Sequence, residues 1–270
     1  MKLAVVMFGH LRTYLETVES LNKYVIKPFN ADVFMHTWEY QERSTQSHQA
    51  ADKSFQDMVV NSSELYKHYP RLTLLVEPEL VDDEQLDYYG SKSILGLKSM
   101  HNSMAKAIGL VIDSGVIYDA VLIIRPDILI RSEVNLIAAE KYINAYPYPN
   151  YLYAGYFIDE NPKNIGYLDK WGASDCMLLT NLRTLKLMSD LGDCSQIYTY
   201  PYTSWGESQF KYFMQSKNIY GRSWNLIAPR DWAIKRAGGE HSSLIIDLLM
   251  YMRKGIRSVL DSIRLLKRRF

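Results

Sequence analysis

The chain has 270 residues, of which 47% are hydrophobic and 23% are charged, and its formal net charge is +1. This composition excludes wholesale disorder, and the length suits one large α/β domain or one domain with an appendage. Residues 242–270 hold seven Lys and Arg against two Asp and Glu, which leaves 24 basic and 28 acidic residues in 1–241, a net of about −4. A mildly acidic body with a basic tail argues against general nucleic-acid binding.

The first half of the chain alternates apolar runs with amphipathic segments. The predicted strands are Leu3–Phe8, Asp32–Trp38, Leu72–Val76 and Ala120–Ile124, and the predicted helices run from Thr13 to about Val25 and from Lys92 to Asp113. This order predicts an α/β, Rossmann-like fold with a mostly parallel sheet and helices on both faces. Residues 40–57 are polar and without a clear period, so they are predicted to form a long loop or a short surface helix.

The second half is less regular. Short strands are predicted at Tyr151–Ala154, Asp175–Leu179 and Leu226–Ile227, and helices at Asn181–Leu191 and Gly206–Ser216. Cys176 and Cys194 have neither metal-ligand spacing nor a disulfide framework, which fits a reducing compartment. The N-terminal apolar run is too short for a signal peptide, and no stretch approaches the length of a membrane-spanning helix. A cytoplasmic protein is therefore expected.

The tail, residues 242–270, predicts one amphipathic helix. Its apolar face consists of Ile245, Leu248, Leu249, Met252, Ile256, Val259, Leu260, Ile263 and Leu266. Arg and Lys residues occupy the other faces, and basic amphipathic helices of this kind lie on anionic membrane surfaces. The alternative is a helix docked on its own domain or on another subunit.

The segment Arg125-Pro126-Asp127 follows the buried strand Ala120–Ile124. Proline cannot donate to a strand ladder, so the ladder should end or shift at Pro126. Open α/β sheets bind ligands at the carboxyl ends of their strands, which makes Arg125 and Asp127 the first candidates for chemistry. Asp127 could hold a divalent metal that bridges diphosphate oxygens, and Arg125 offers a fork for phosphate. The plainer alternative is an Arg–Asp surface ion pair.

A second candidate site follows the first predicted strand. Gly9, His10 and Arg12 lie where the strand gives way to a helix, and amides at a helix N-terminus attract anions. We therefore expect a phosphate here with Arg12 clamping it. The segment is neither a Walker A loop nor the three-glycine dinucleotide fingerprint. The alternative is a tight strand–helix turn with a solvated arginine.

Four more residues are candidates for binding at this sheet edge. His36 and Trp38 end the second strand, where His36 could donate to a phosphate or hydroxyl and Trp38 could stack on a base or sugar ring. Lys98 and Asn102 lie four residues apart on the helix before the key strand. Packed core residues would explain the first pair, and solvated helix positions would explain the second.

Two acidic residues are candidates for catalysis. Glu207 follows Trp205-Gly206 in the first turn of a predicted helix, where the helix dipole favours an ionised carboxylate. That state suits a general base that deprotonates a hydroxyl, and it equally suits a simple capping acid. Asp175 starts a predicted strand after a similar Trp-Gly segment and is the second candidate.

Three segments together carry a resemblance to a known family. They are Gly9-His10-Leu11-Arg12-Thr13, Asp32-Val33-Phe34-Met35-His36-Thr37-Trp38, and Tyr118-Asp119 through Arg125-Pro126-Asp127. In order and spacing this set resembles bacterial polysaccharide-biosynthesis glycosyltransferases of the GT-A type, the enzymes encoded among capsule and O-antigen functions. The resemblance covers residues 1–131 best.

The resemblance implies a nucleotide-sugar donor bound at the carboxyl edge of the sheet, near Gly9, His10, Arg12 and Arg125. Arg-Pro-Asp would occupy the position of the family's Asp-x-Asp metal motif, so only Asp127 carries over as a ligand for Mn²⁺ or Mg²⁺. Arg125 stands at the first acidic position, and Arg12 and Arg125 offer an alternative means of neutralising the diphosphate.

The expected activity is transfer of a sugar from a nucleotide-diphosphate donor to a hydroxyl of a lipid-linked bacterial surface glycan. Residues 1–131 would bind the donor, 132–241 would face the acceptor, and 242–270 would hold the enzyme at the inner face of the cell membrane. The alternative is a catalytically inactive subunit of a polysaccharide-assembly complex that has kept the same fold. A sulfotransferase is a weaker rival, because no phosphate loop of the required type is present.

Overall fold

The computed structural model describes residues 1–42, 58–80, 94–136, 151–157, 176–193, 206–228, 232–236 and 239–240. The tail helix predicted for 242–270 lies outside these residues, as does Asp175 and most of the polar segment 40–57. Within the described part of the chain, no helix is both long enough and apolar enough to cross a membrane.

The centre of the fold is one seven-stranded sheet. Its strands are β1 Leu3–Phe8, β2 Asp32–Trp38, β3 Leu72–Glu77, β4 Ala120–Ile124, β6 Tyr151–Phe157, β7 Met177–Thr180 and β8 Tyr220–Ala228. They lie in the order β3-β2-β1-β4-β7-β6-β8. The first four are mutually parallel, β7 runs antiparallel to both of its neighbours, and β6 pairs parallel with β8. The prediction of an α/β fold with a mostly parallel sheet is confirmed.

A second, three-stranded sheet lies beside the end of β4. It consists of β5 Ile128–Ile130, β9 Trp232–Arg236 and β10 Gly239–Glu240, in the order β10-β9-β5 with antiparallel pairing. The chain passes from β4 to β5 through Arg125, Pro126 and Asp127, so the ladder shifts at Pro126 as predicted. Neither β5 nor β9 was predicted.

The helices occur mostly where the apolar periodicity placed them. They are α1 Tyr14–Leu21, α2 Lys27–Phe29, α3 Ser62–His68, α4 Ile94–Asp113, α5 Leu182–Leu187 and α6 Gly206–Ser216. A π-helical turn, Asn22–Ile26, joins α1 to α2, so the first helix extends beyond its predicted end. The predicted helix Asn181–Leu191 is shorter, because α5 is followed by a separate 3₁₀ turn, Leu191–Asp193. Helix α3 was not predicted, although the Asn61 side chain caps it by accepting from the amides of Ser63 and Glu64.

Alternation along the strands divides the core into two layers. Leu3, Val5 and Met7 of β1 pack with the buried residues of α1, whereas Ala4, Val6 and Phe8 pack with the layer formed by α4, α5 and α6. Every residue of β1 is at most 1% exposed. The continuous apolar run is therefore a consequence of burial on both faces, as in parallel sheets generally.

Three hydroxyl groups on one side of α1 connect it to the second sheet. Thr13, just before the helix, donates to the Lys235 carbonyl (2.8 Å), and Thr17 donates to the Pro126 carbonyl (2.5 Å). The Ser20 hydroxyl accepts from the Ile130 amide (3.0 Å). Positions 13, 17 and 20 recur on one helical face. These hydrogen bonds consequently attach the turn between β4 and β5, and the second sheet, to α1.

We predict that Thr17→Val lowers the free energy of unfolding by about 1–2 kcal/mol, since a buried carbonyl loses its hydrogen bond while the side-chain volume is kept. Urea denaturation measures the change. Thr37→Val is the matched control, because Thr37 is also buried but its hydroxyl makes, among the described residues, a single long contact of 3.5 Å to the Trp38 carbonyl. Equal losses in the two variants would contradict a special role for Thr17.

Candidate functional site

Four parallel strands end at one edge of the large sheet, and polar residues follow three of them directly. Gly9, His10 and Arg12 follow β1, Glu79 follows β3, and Arg125 and Asp127 follow β4. His36 lies near the end of β2. The predicted convergence of strand ends is thus present, and it places these groups where open α/β sheets bind ligands.

The Asp127 carboxylate is the most buried charge at this edge, at 1% exposure. Arg125 bonds it with two nitrogens, Nε to Oδ1 at 3.0 Å and one Nη to Oδ2 at 2.7 Å. A terminal nitrogen of Arg12 donates to the same Oδ2 at 3.2 Å. Two guanidinium groups from different strand ends therefore contact one carboxylate. The arrangement is more buried and has one more arginine than the Arg–Asp surface ion pair that the sequence left open.

Arg12 continues this arrangement toward a second carboxylate. Its Nε lies 2.7 Å from Glu42 Oε2, and its backbone amide donates to the Gln41 carbonyl at 2.9 Å. The residue has φ of +49°, a left-handed conformation that few non-glycine residues adopt. Glu42, Arg12, Asp127 and Arg125 thus form an alternating series of charges, called the charge ladder below, with two positive and two negative members.

The backbone around Arg125 is fixed by the neighbouring elements. Its amide donates to the Cys176 carbonyl at 3.1 Å, and the Asp127 carbonyl accepts from the Lys235 amide at 2.7 Å. The Arg125 carbonyl accepts from the Ile128 amide at 3.3 Å, which closes the turn into β5. The guanidinium is therefore carried by a turn tied to both sheets, and such support favours a preorganised site.

The turn after β1 is held from inside the protein. Gly9 has φ of +88°, where an L side chain would be strained, and its amide donates to the Ser103 hydroxyl at 2.7 Å. The amides of Gly9 and Arg12 therefore already have partners in the protein. An anion at this turn would depend on the Arg12 side chain more than on these two amides.

His10 lies beside that turn. Its Nδ1 is 3.1 Å from the Tyr40 carbonyl and 3.7 Å from Glu79 Oε1. The carbonyl can only accept, so Nδ1 carries the proton in this contact. His10 is therefore positioned at the sheet edge as predicted, and its part in binding a sugar donor stays a prediction.

His36 and Trp38 belong to the interior in this structure. His36 is 0% exposed and Trp38 is 1% exposed, with their rings edge-to-face at 4.8 Å. This is the packed arrangement that the sequence left open as the alternative. A stacking role for Trp38 would require its ring to become accessible, and that role stays a prediction.

The His36 ring connects three elements. Its Nδ1 lies 2.7 Å from the Ser103 hydroxyl on α4, and its Nε2 lies 2.9 Å from Glu77 Oε2 at the end of β3. Lys106 donates to the same Glu77 oxygen. Burial lowers the pKa of His36 despite the nearby Glu77 carboxylate. Burial alone would raise the pKa of Glu77, but hydrogen bonds from Lys106 and His36 bring it below its usual value.

The candidates on α4 have different environments. Lys98 is half-buried near the start of the helix. Asn102 packs against the 3₁₀ turn: a Cβ placed on Gly192 would lie only 3.2 Å from the Asn102 Cα. Its Oδ1 is buried without a hydrogen-bond partner among the described residues. Their predicted part in donor binding remains untested.

The catalytic candidates lie at the margin of what is described. Helix α6 begins at Gly206 as predicted, so Glu207 is in its first turn, but its side chain is not among those described. Asp175 lies just outside the described residues and next to Cys176, which is buried. Both assignments stay predictions.

The described residues do not fit a resident metal ion at Asp127. Both of its oxygens accept from guanidinium groups, and no group of three or more His, Cys, Asp and Glu side chains suited to a metal occurs in the described part of the chain. A Mn²⁺ or Mg²⁺ ion there stays a prediction, and we derive no chemistry through it.

Several residues of this edge were not identified from the sequence. Glu42 and Ser103 have unremarkable neighbours, and Glu77 ends an ordinary apolar strand. Glu77 had a usable signal, because it is a charge at the end of a predicted parallel strand. For Glu42 and Ser103 no local signal exists, since their partners are distant in the chain.

Comparisons with known proteins give no family assignment. No family model matches the chain, and no curated protein matches it. Among solved structures, one from Desulfovibrio desulfuricans G20, provisionally assigned as a nucleotide-diphospho-sugar transferase, matches with 10% identity and a TM-score of 0.39. The match covers 84% of this chain and 81% of that one. A similarity at this level supports no argument about this chain.

The lowered pKa of His36 predicts a loss of stability in mild acid. An unfolded histidine takes up a proton near pH 6.5, whereas folded His36 stays neutral to lower pH, so protons favour the unfolded state below about pH 6.5. We expect the free energy of unfolding to fall between pH 7.5 and 5.5, and to fall less in His36→Gln. Urea titrations at both pH values measure this, with His68→Gln, a partly exposed position, as control. An unchanged pH slope in His36→Gln would contradict the prediction.

Proposed function

We propose that this chain is a glycosyltransferase that uses a nucleotide-diphosphate sugar, with the diphosphate bound where β1 and β4 end. One observation carries the proposal: Arg12 and Arg125, from two neighbouring strand ends, converge on the Asp127 carboxylate. Guanidinium groups bind phosphate oxygens in a forked geometry, and two of them side by side suit two linked phosphates. The motif resemblance of residues 1–131 to GT-A enzymes supports the same assignment.

Exposure within the charge ladder supports this direction of binding. The side chains of Arg12 and Arg125 are 19% and 14% exposed, whereas those of Glu42 and Asp127 are 7% and 1% exposed. A ligand arriving from solvent would meet the cationic members first. One terminal nitrogen of Arg12 donates to Asp127, and its Nε lies 2.7 Å from Glu42 as an ion pair without hydrogen-bond geometry. The N–H groups of the other terminal nitrogen are the ones we assign to phosphate.

The proposed chemistry follows from charge development. When the bond between the sugar and the diphosphate breaks, negative charge accumulates on the leaving phosphate oxygens. Arg12 and Arg125 would stabilise that charge, and because Asp127 already holds them in place, little reorganisation is needed. The acceptor oxygen forms the new bond to the anomeric carbon of the sugar as the nucleoside diphosphate leaves. Its proton goes to a carboxylate base, for which Glu207 and Asp175 remain the candidates.

We also propose an acceptor and a membrane location for this reaction. The acceptor would be a lipid-linked surface glycan of the capsule or O-antigen kind, with residues 132–241 on the acceptor side. The basic tail would hold the enzyme at the inner face of the cell membrane, where such lipids lie. The family resemblance and the charge pattern of 242–270 support these features.

We predict that Arg12→Lys and Arg125→Lys each weaken binding of nucleotide-diphosphate sugars at least tenfold, because lysine cannot reproduce the forked geometry. A thermal-shift panel of UDP-glucose, GDP-mannose and CMP-sialic acid, each with MnCl₂ or EDTA, identifies the ligand, and calorimetry gives its Kd. CMP-sialic acid lacks a diphosphate and should bind worst.

Arg71→Lys is the matched control for these variants, because Arg71 pairs with Asp32 and is half exposed away from the ladder. If no diphosphate sugar stabilises the wild type, the proposed function is wrong. Binding without donor hydrolysis or transfer would favour the inactive-subunit alternative. A requirement for MnCl₂ would support the metal prediction.

The membrane proposal predicts that removing residues 242–270 abolishes co-sedimentation with vesicles of phosphatidylglycerol and phosphatidylcholine. The tail brings seven basic side chains, so the intact chain should also lose vesicle binding at high salt. Vesicles of phosphatidylcholine alone are the control. Undiminished binding by the truncated chain would show that the tail is not the membrane contact.

A further inference from the structure

Behind the sheet edge, a chain of hydrogen bonds connects four elements and ends at the turn after β1. It includes Gly9 after β1, His36 of β2, Glu77 of β3, and Ser103 and Lys106 of α4. None of these five residues belongs to the charge ladder.

The donor and acceptor properties of these groups fix the direction of each hydrogen bond in the series. Glu77 accepts from Lys106 and, as a carboxylate, can only accept, so His36 must donate from Nε2. In a neutral imidazole, Nδ1 is then an acceptor, and the Ser103 hydroxyl donates to it at 2.7 Å. The same hydroxyl oxygen accepts from the Gly9 amide at 2.7 Å. The Ser103 hydroxyl also lies 3.3 Å from the His36 carbonyl, a longer contact than the one to Nδ1, and the lowered pKa of His36 agrees with a neutral ring.

The Ser103, His36 and Glu77 side chains resemble a nucleophile–base–acid series, but they cannot act as one here. Ser103 and His36 are both 0% exposed, so no substrate reaches the hydroxyl. What the series does reach is the backbone of Gly9, at the beginning of the turn that carries Arg12. Gly9 has a left-handed φ, and nothing lies within 4 Å of where its Cβ would be. The hydrogen bond, rather than crowding, holds this conformation.

We propose that Ser103 is a positioning residue for the diphosphate site: by anchoring the Gly9 amide it sets the turn that presents Arg12 to Asp127 and to phosphate. His36, Glu77 and Lys106 support it by fixing the direction of the Ser103 hydroxyl. This inference rests on the proposed function. It adds a residue that lies inside the core and contacts no member of the charge ladder.

The test compares Ser103→Ala, Ser103→Thr and Ser99→Ala in the full chain, with inorganic pyrophosphate as the probe in calorimetry. Ser103→Ala removes only a hydroxyl, and Ser103→Thr keeps it. Ser99 is buried on the same helix one turn earlier, so Ser99→Ala reproduces the loss of a buried hydroxyl from α4 without touching Gly9. Hydrogen exchange of the peptide containing Gly9 through Arg12 is measured in parallel.

We expect Ser103→Ala to weaken pyrophosphate binding about tenfold, because the hydrogen bond that holds the Gly9 turn in its binding conformation is lost. Exchange of the Gly9 turn should also accelerate. Ser103→Thr should recover wild-type binding, and Ser99→Ala should leave binding and exchange in the turn unchanged.

The possible failures are distinguishable. Wild-type protein that does not bind pyrophosphate overturns the diphosphate site, and this proposal with it. Wild-type binding that Ser103→Ala does not weaken overturns the positioning role alone, and so does an equal loss in Ser99→Ala. Should Ser103→Thr be unable to fold, faster exchange and weaker binding in Ser103→Ala but not in Ser99→Ala still support the proposal.

Discussion

The architecture of the sheet edge depends on burying one carboxylate. Removing a carboxylate from water costs several kcal/mol unless partners compensate, and Asp127 is almost completely buried. The compensation comes from Arg125, two residues away, and from Arg12, 115 residues away in the chain. Since these arginines follow different strands, the pairing joins the turn after β1 to the turn after β4. The hydrogen bonds of Thr17 and the Lys235 amide then tie the same turn to α1 and to the second sheet.

Much of the large sheet could be predicted, because a strand buried on both faces has a short run of consecutive apolar residues. β1 and β4 are continuous apolar runs of the expected length, and β2 is apolar over Val33, Phe34 and Met35. Their parallel pairing follows from the intervening helices. The second sheet could not be predicted in this way. β5 is three residues long after a proline, and it exists only through pairing with β9, about a hundred residues later. The antiparallel direction of β7 likewise has no local signal.

The sequence predicted where the candidate site lies but did not predict which of its residues contact one another. Topology alone brings the residues after β1 and β4 to one edge, which is why Arg12, Arg125 and Asp127 were identified. The contacts of Arg12 and Arg125 with Asp127 involve a left-handed conformation of Arg12, which no residue pattern predicts. For His36 and Trp38, the strand pattern could not distinguish a site residue from a core residue, because both lie at the end of a strand buried on both faces. Ser103 resembles any small residue on the inner side of a helix.

The two carboxylates of the charge ladder balance the two arginines. Arg12 and Arg125 would repel each other without counter-charges, and the carboxylates of Glu42 and Asp127 offset that repulsion. The proposed diphosphate would add negative charge on the more exposed, cationic side, where the guanidinium groups are already held in place. Asp127 then acts as a support for the arginines. In the proposed site, Arg125 would then bind the diphosphate where GT-A enzymes have the first carboxylate of their metal motif.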